Sequence, residues 1–392
     1  MREEAPRVLE AGFPPVPLVN HGLRAVTAVT VRARRRRHNQ SMAAFDSAPL
    51  LVIWEVTQAC DLACVHCRAS AEPRRHPEEL TTEEGFRLLS EVRAFGEPLM
   101  IFTGGDPLKR PDIFELLSES VRLGLRTTIT PSATPLLTRE AVASIQRAGV
   151  SRMALSLDGA DEISHDGFRG VHGSFHRTLA SLAEARRLGL ETQVNTTVTR
   201  RNLTQLEQMA RLVGEHEARL WSVFFLVVTG RALEADDLRA EEYESVFARL
   251  HAISLHAPFD IKTTEAQHYR RYLARSGQPS ANPRQASAIR RQIGINDGKG
   301  LVFVSHTGDI CPSGFLPLAA GNVRRDSLAE VYRTAPLFLA LRDDSRLGGK
   351  CGACEYRKLC GGSRARAYAA TGDYLAEDPQ CVYEPARART PA

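Results

Sequence analysis

The chain has 392 residues, 43% hydrophobic, 25% charged and 6% aromatic, which excludes collagenous, wholly disordered and disulfide-dense classes. Its formal charge of +5 invites a nucleic-acid reading, but the first 41 residues hold eight Arg and three Glu. The remainder therefore balances at 43 basic and 43 acidic side chains, with no excess for a phosphate backbone. No run reaches the roughly 18 apolar residues of a membrane-spanning helix. Glu3, Glu4 and nearby prolines stand where a secretory signal would need an apolar stretch, so a cytoplasmic location is expected.

Residues 1–46, with the Arg34 to Arg37 block, read as a disordered basic extension. Met42 is a candidate start, and removal of residues 1–41 is expected to leave folding and catalysis intact. From residue 51 the pattern alternates. Strands are expected at 51–57, 98–103, 125–130, 152–158, 190–199 and 220–228. Helices are expected at 82–95, 113–123, 139–148, 175–188 and 203–216, several of them ending at Gly124, Gly149 or Gly189. Six βα units imply a parallel α/β sheet, either an incomplete barrel or a doubly wound sheet, with ligands at the strands' C-terminal ends.

The alternation stops near residue 230. A helix is expected at 241–255, a polar connector at 275–283 and a short hairpin around His306 and Thr307. Residues 348–385 have little periodicity and most of the remaining cysteines, which suggests a segment that needs a metal to fold.

Eight cysteines are too few for a disulfide scaffold, and their clustering reads as metal ligation. Cys60, Cys64 and Cys67 form C-x₃-C-x₂-C directly after the first strand. Three thiolates can hold a [4Fe–4S] cluster and leave one iron open. A zinc knuckle, which would want a fourth ligand, and incidental buried cysteines are the alternatives. His66 lies one residue from Cys67 and so points elsewhere.

A C-x₃-C-x₂-C loop after the first of six βα units resembles the radical SAM superfamily. The resemblance implies a partial (β/α)6 barrel that cleaves S-adenosylmethionine reductively to a 5′-deoxyadenosyl radical. Cys60, Cys64 and Cys67 would hold the catalytic cluster. Gly104-Gly105-Asp106-Pro107 resembles the family's motif for the methionine amine, with Asp in place of Glu. Ser156 and Asp158 match its ribose-contacting position, with Asn195 and Val227 as further cofactor candidates.

Cys351, Cys354, Cys360 and Cys381 give C-x₂-C-x₅-C-x₂₀-C, enough thiolates for a second [4Fe–4S] cluster, with structural zinc as the alternative. The region resembles the SPASM or twitch extension of radical SAM enzymes, with five cysteines rather than seven. Cys311 is then spare or exchanges with one of the four. Residues 54–60, 64–68, 303–308, 312–317 and 360–368 resemble the tetrapyrrole-modifying radical SAM enzymes of haem biosynthesis. That implies hydrogen abstraction from a tetrapyrrole side chain, with decarboxylation or side-chain removal, and an electron donor such as flavodoxin or ferredoxin. A maturase of a ribosomal peptide is the rival enzyme, and a non-catalytic Fe–S or zinc module is the rival from another class. The Gly104–Pro107 motif argues against the second.

The domains expected are the barrel at 47–232, a helical, substrate-side connector at 233–300, the auxiliary-cluster domain at 301–385 and a tail at 386–392. Arg270, Arg271 and Lys299 are candidates to hold substrate carboxylates. His268 and His306 are candidate ligands for a haem-type iron.

Overall fold

All six strands expected from the alternating pattern form and pair in chain order. The computed structural model describes residues 45–276 and 294–386. The basic extension up to residue 44, most of the 275–283 connector and the tail from 387 lie outside the described residues. Strands β1 (Leu51–Glu55), β2 (Leu99–Thr103), β3 (Arg126–Ile129), β4 (Arg152–Ser156), β5 (Thr192–Val198) and β6 (Leu220–Phe225) are neighbours and parallel. Helices such as Thr82–Phe95, Ile113–Arg122 and Leu206–Glu215 make the crossovers. Thr81 and Glu84 form the capping box that starts the first of these.

Two strands beyond the expected barrel boundary at residue 232 extend the same open sheet. β7 (Asp260–Thr264) adds parallel to β6, and β8 (Leu301–Val304) adds parallel to β1. The segment 233–300 is thus more than a helical connector. Helix Ala240–His256 carries the chain over to β7, a sixth crossover. The 300/301 boundary likewise falls at a strand of the main sheet. β8 turns back into β9 (Asp309–Cys311) as the expected hairpin, and β10 (Gly321–Asn322) closes that edge antiparallel.

The two faces of the sheet differ because side chains alternate along each strand. One row across β4 to β7 reads Leu155, Val194, Trp221, Ile261, each at most 1% exposed and packed in one core with Leu89, Leu117, Ile145 and Met209 from the helices. Each large apolar side chain buried there contributes about 1.5–3 kcal/mol. One step along, the register row is Ser156, Asn195, Ser222, Lys262. This inner face is polar. Phe315 from the segment after β9 reaches Phe224 of β6, ring centroids 6.3 Å apart, and Arg68 lies over the Phe303 and Phe315 rings. Residues after β9 therefore cover part of the inner face.

Candidate active site

The loop 60–67 leaves the C-terminal end of β1 and is clasped from three sides. Gly104 and Gly105 follow β2, and a Cβ on either would run into the carbonyls of Thr57 or Ala59. The approach is tight because the Gly105 and Asp106 N–H groups donate to those carbonyls, at 2.8 and 2.6 Å. Gly170, after β4, lies against the Ala63 carbonyl, and Gly230, after β6, against that of Cys67, both at positive φ. Arg231 then donates to the carbonyls of Cys64 and Ala71, at 2.9 and 3.0 Å.

Each of the three thiols receives an N–H group. Leu62 N reaches Cys60 Sγ at 3.4 Å, Ala71 N reaches Cys67 Sγ at 3.4 Å and Arg169 Nη1 reaches Cys64 Sγ at 3.5 Å. Such donors stabilise metal-bound thiolates and tune an iron–sulfur centre. Burial pushes the unligated Cys60 thiol up, so ligation there would release a proton. His66 packs on Phe168 with centroids 4.4 Å apart.

Asp106 is fully buried. Its carboxylate accepts from Thr134 Oγ1 at 2.7 Å, Leu108 N at 3.2 Å and Ser132 N at 3.3 Å. Burial pushes its pKa up despite these donors. A carboxylate offers about four acceptor positions, so one remains for a bound amine. Pro107 begins the short 3₁₀ turn that Asp106 caps.

Ser156 and Asn195 are register partners on β4 and β5, both half-buried on the inner face. Asp158 is spent differently. It is fully buried and ion-paired to Arg169, and it accepts Thr197 N at 2.7 Å. It thus sets the guanidinium that reaches Cys64 rather than facing a ribose. Val227 is 2% exposed in a core cluster with Leu316, Leu341 and Ala365, so it packs the C-terminal segment against β6 and presents no surface to adenine.

Cys351, Cys354, Cys360 and Cys381 line one pocket with His268, Arg271 and Asp378. Backbone N–H groups of Asp378, Tyr356 and Gly362 reach the sulfurs of Cys351, Cys354 and Cys360, each at 3.4 Å. Burial raises all four thiols, Cys360 to about 12 and Cys381 to about 11. Among the described residues no three His, Cys, Asp or Glu side chains converge on one point as a single metal ion requires. Four thiols around one pocket are a donor set for a four-iron cluster or for structural zinc. Cys311 stands apart on β9, its thiol pushed to about 12 by burial.

The cations expected at a substrate are engaged inside the fold. Arg270 donates to the Ile295 and Leu359 carbonyls, Arg271 pairs with Glu244, and Lys299 pairs with Asp344 at 2.7 Å. His268 is fully buried against Tyr243 beside the second cysteine pocket, so it cannot reach an iron bound on the inner face. His306 Nδ1 lies 2.9 Å from Glu55, which also holds Arg68 at 2.7 Å. Burial alone would raise Glu55, but Arg68 and His306 hold it below the usual carboxylate range. Sequence spacing gave no sign of Arg169, Arg231 or Thr134, since each acts through a tertiary contact with a distant segment.

A parallel sheet with a three-cysteine loop beyond β1, clasped by glycines beyond β2, β4 and β6, defines a radical SAM enzyme. Residues 54–213 match the family model described as Radical SAM superfamily. The chain is 41% identical to an AdoMet-dependent heme synthase of Methanosarcina barkeri, covering 88% of this chain and 100% of that one. It is 40% identical to a protein of the same description from Nitratidesulfovibrio vulgaris, over 86% and 93% of the two chains. A PqqA peptide cyclase of Rhizobium meliloti is 27% identical over 87% and 89%. In fold it is similar to Streptococcus suis SuiB bound to S-adenosylmethionine, with a TM-score of 0.68 and 19% identity over 91% of this chain and 82% of that one. The chain belongs to the radical SAM superfamily, whose members use S-adenosylmethionine and a [4Fe–4S] cluster. No helix among the described residues is long and apolar enough to cross a membrane.

Proposed function

We propose that this enzyme acts in the cytoplasm on the propionate side chains of an iron tetrapyrrole in haem formation, with two [4Fe–4S] clusters and a reductant such as flavodoxin or ferredoxin. The observation that carries this reading is the 41% identity across the whole of the Methanosarcina relative, against 27% for the peptide cyclase.

When bound, S-adenosylmethionine and the clusters supply a hydrogen-abstracting radical and one-electron transfer. The chain's own residues bind and shield. Cys60, Cys64 and Cys67 would hold the first cluster, Asp106 has an acceptor position left for an amine, and Ser156 with Asn195 lies on the inner face of the same sheet. Cys351, Cys354, Cys360 and Cys381 would hold the second cluster. Phe315, packed on Phe224, covers part of the inner face and would help keep water from a reactive intermediate. For the substrate, loss of one hydrogen atom from the propionate is followed by cleavage of the bond to the carboxylate. Carbon dioxide leaves, a vinyl double bond forms, and the electron released would pass to a one-electron acceptor, the role an oxidised second cluster on Cys351, Cys354, Cys360 and Cys381 would fill.

The test is anaerobic turnover of the reduced enzyme with iron-coproporphyrin III, run beside a Cys60/Cys64/Cys67→Ala variant. The expected result is a vinyl product from the parent enzyme only, with about half of its iron retained in the variant. Turnover of a cysteine-bearing peptide but not of the tetrapyrrole would favour a maturase. Stoichiometric zinc would rule out the second cluster.

A further inference from the structure

On the inner face, Lys262 stands in the register row with Ser156, Asn195 and Ser222. It is half-buried, and no carboxylate among the described residues lies within ion-pair reach of it. Its own strand presents Asp260 two residues earlier on the same face, and one carboxylate oxygen of Asp260 is itself buried without a partner. The charged group whose field bears on Lys262 is Arg152, on the same face at the start of β4, another cation. Arg152 pairs with Glu191 at 2.9 Å through Nη2, yet its Nε is buried and unpartnered.

Two neighbouring cations on one face, Lys262 with no carboxylate in reach among the described residues and Arg152 with an unused N–H, form a site that lacks an anion. Buried charges are ordinarily paired because isolated ones are costly. Burial and Arg152 together push the Lys262 ammonium down to about 8, and a seated anion would relieve that. Arg270, Arg271 and Lys299 are engaged within the fold, whereas Lys262 stands on the inner face in the register row of Ser156 and Asn195.

We propose that Lys262 anchors a carboxylate of the substrate on the inner face of the sheet, with Arg152 Nε as its second donor. With the tetrapyrrole reading, on which this rests, the ligand is a propionate that is held while another reacts. The methionine carboxylate of S-adenosylmethionine is the other source of the same chemistry, and the test separates the two.

Reconstituted enzyme is titrated anaerobically with iron-coproporphyrin III, followed by its Soret band, and separately with S-adenosylmethionine. The proteins compared are the parent, Lys262→Met and Lys262→Arg. The expected result is at least tenfold weaker tetrapyrrole binding by Lys262→Met, recovery in Lys262→Arg, and unchanged S-adenosylmethionine affinity and iron content. Tetrapyrrole affinity within twofold of the parent in Lys262→Met overturns the anchor, as does a loss confined to S-adenosylmethionine. No Soret change with the parent enzyme overturns the tetrapyrrole reading and the anchor with it.

Discussion

His165 shows how one buried side chain is tied to the cofactor end of β4. Its Nδ1 accepts the Asp158 N–H at 3.1 Å, so that nitrogen carries no proton. Burial, with Arg169 nearby, pushes its pKa from 6.5 to about 3, while Asp166 acts the other way. Between those values the unfolded chain binds a proton that the folded chain refuses. Stability from this residue is complete above about pH 6.5 and is lost as pH falls toward 3, by about 1.4 kcal/mol per unit. The thermal midpoint of the parent should therefore fall more steeply than that of His165→Gln between pH 6.5 and 5. Parallel slopes would show that His165 titrates normally in the folded protein.

At the scale of elements, the cysteine loop depends on the turns that hold it as much as on its own residues. Gly105 has no positive φ to protect, so its requirement is steric. Gly105→Ala should displace residues 57–60 and lose the first cluster's iron, leaving about half the total. The fold should survive, because the strands' helix-covered face is untouched. Full iron content in that variant would mean the loop yields without losing its ligands. The Gly104–Pro107 turn was legible in sequence as a motif, whereas Gly170 and Gly230 were not. They contact the loop from segments more than 100 residues away in the chain, and no local pattern encodes that proximity. β7 escaped for a different reason. Asp260-Ile-Lys-Thr-Thr264 is short and carries polar residues on its inner face, so it lacks the apolar run that marked β1, β2 and β6.

Across the whole molecule, the six central strands and both cysteine sets follow from spacing alone, because periodicity and metal-ligand spacing are local properties. The assignment of individual substrate contacts did not. Arg270, Arg271 and Lys299 are basic residues in polar stretches, and only the folded chain shows that their charges are taken by carbonyls, Glu244 and Asp344. The same packing leaves Lys262 and Arg152 on the inner face, within the sheet that the cysteine loop caps. The two cysteine sites also share one body. Arg366 donates to the carbonyls of Leu226 and Glu265, at 3.2 and 2.5 Å, while pairing with Asp378 beside the second cysteine pocket. The C-terminal segment is thereby fixed to the ends of β6 and β7.

The central claim is that this enzyme takes a hydrogen atom from a tetrapyrrole propionate. The most direct measurement uses iron-coproporphyrin III deuterated on its propionate chains, with reduced enzyme and S-adenosylmethionine, and reads the mass of the 5′-deoxyadenosine formed. The account predicts deuterium in that product, appearing in step with vinyl formation. Unlabelled 5′-deoxyadenosine, made at the same rate with or without the tetrapyrrole, would contradict it.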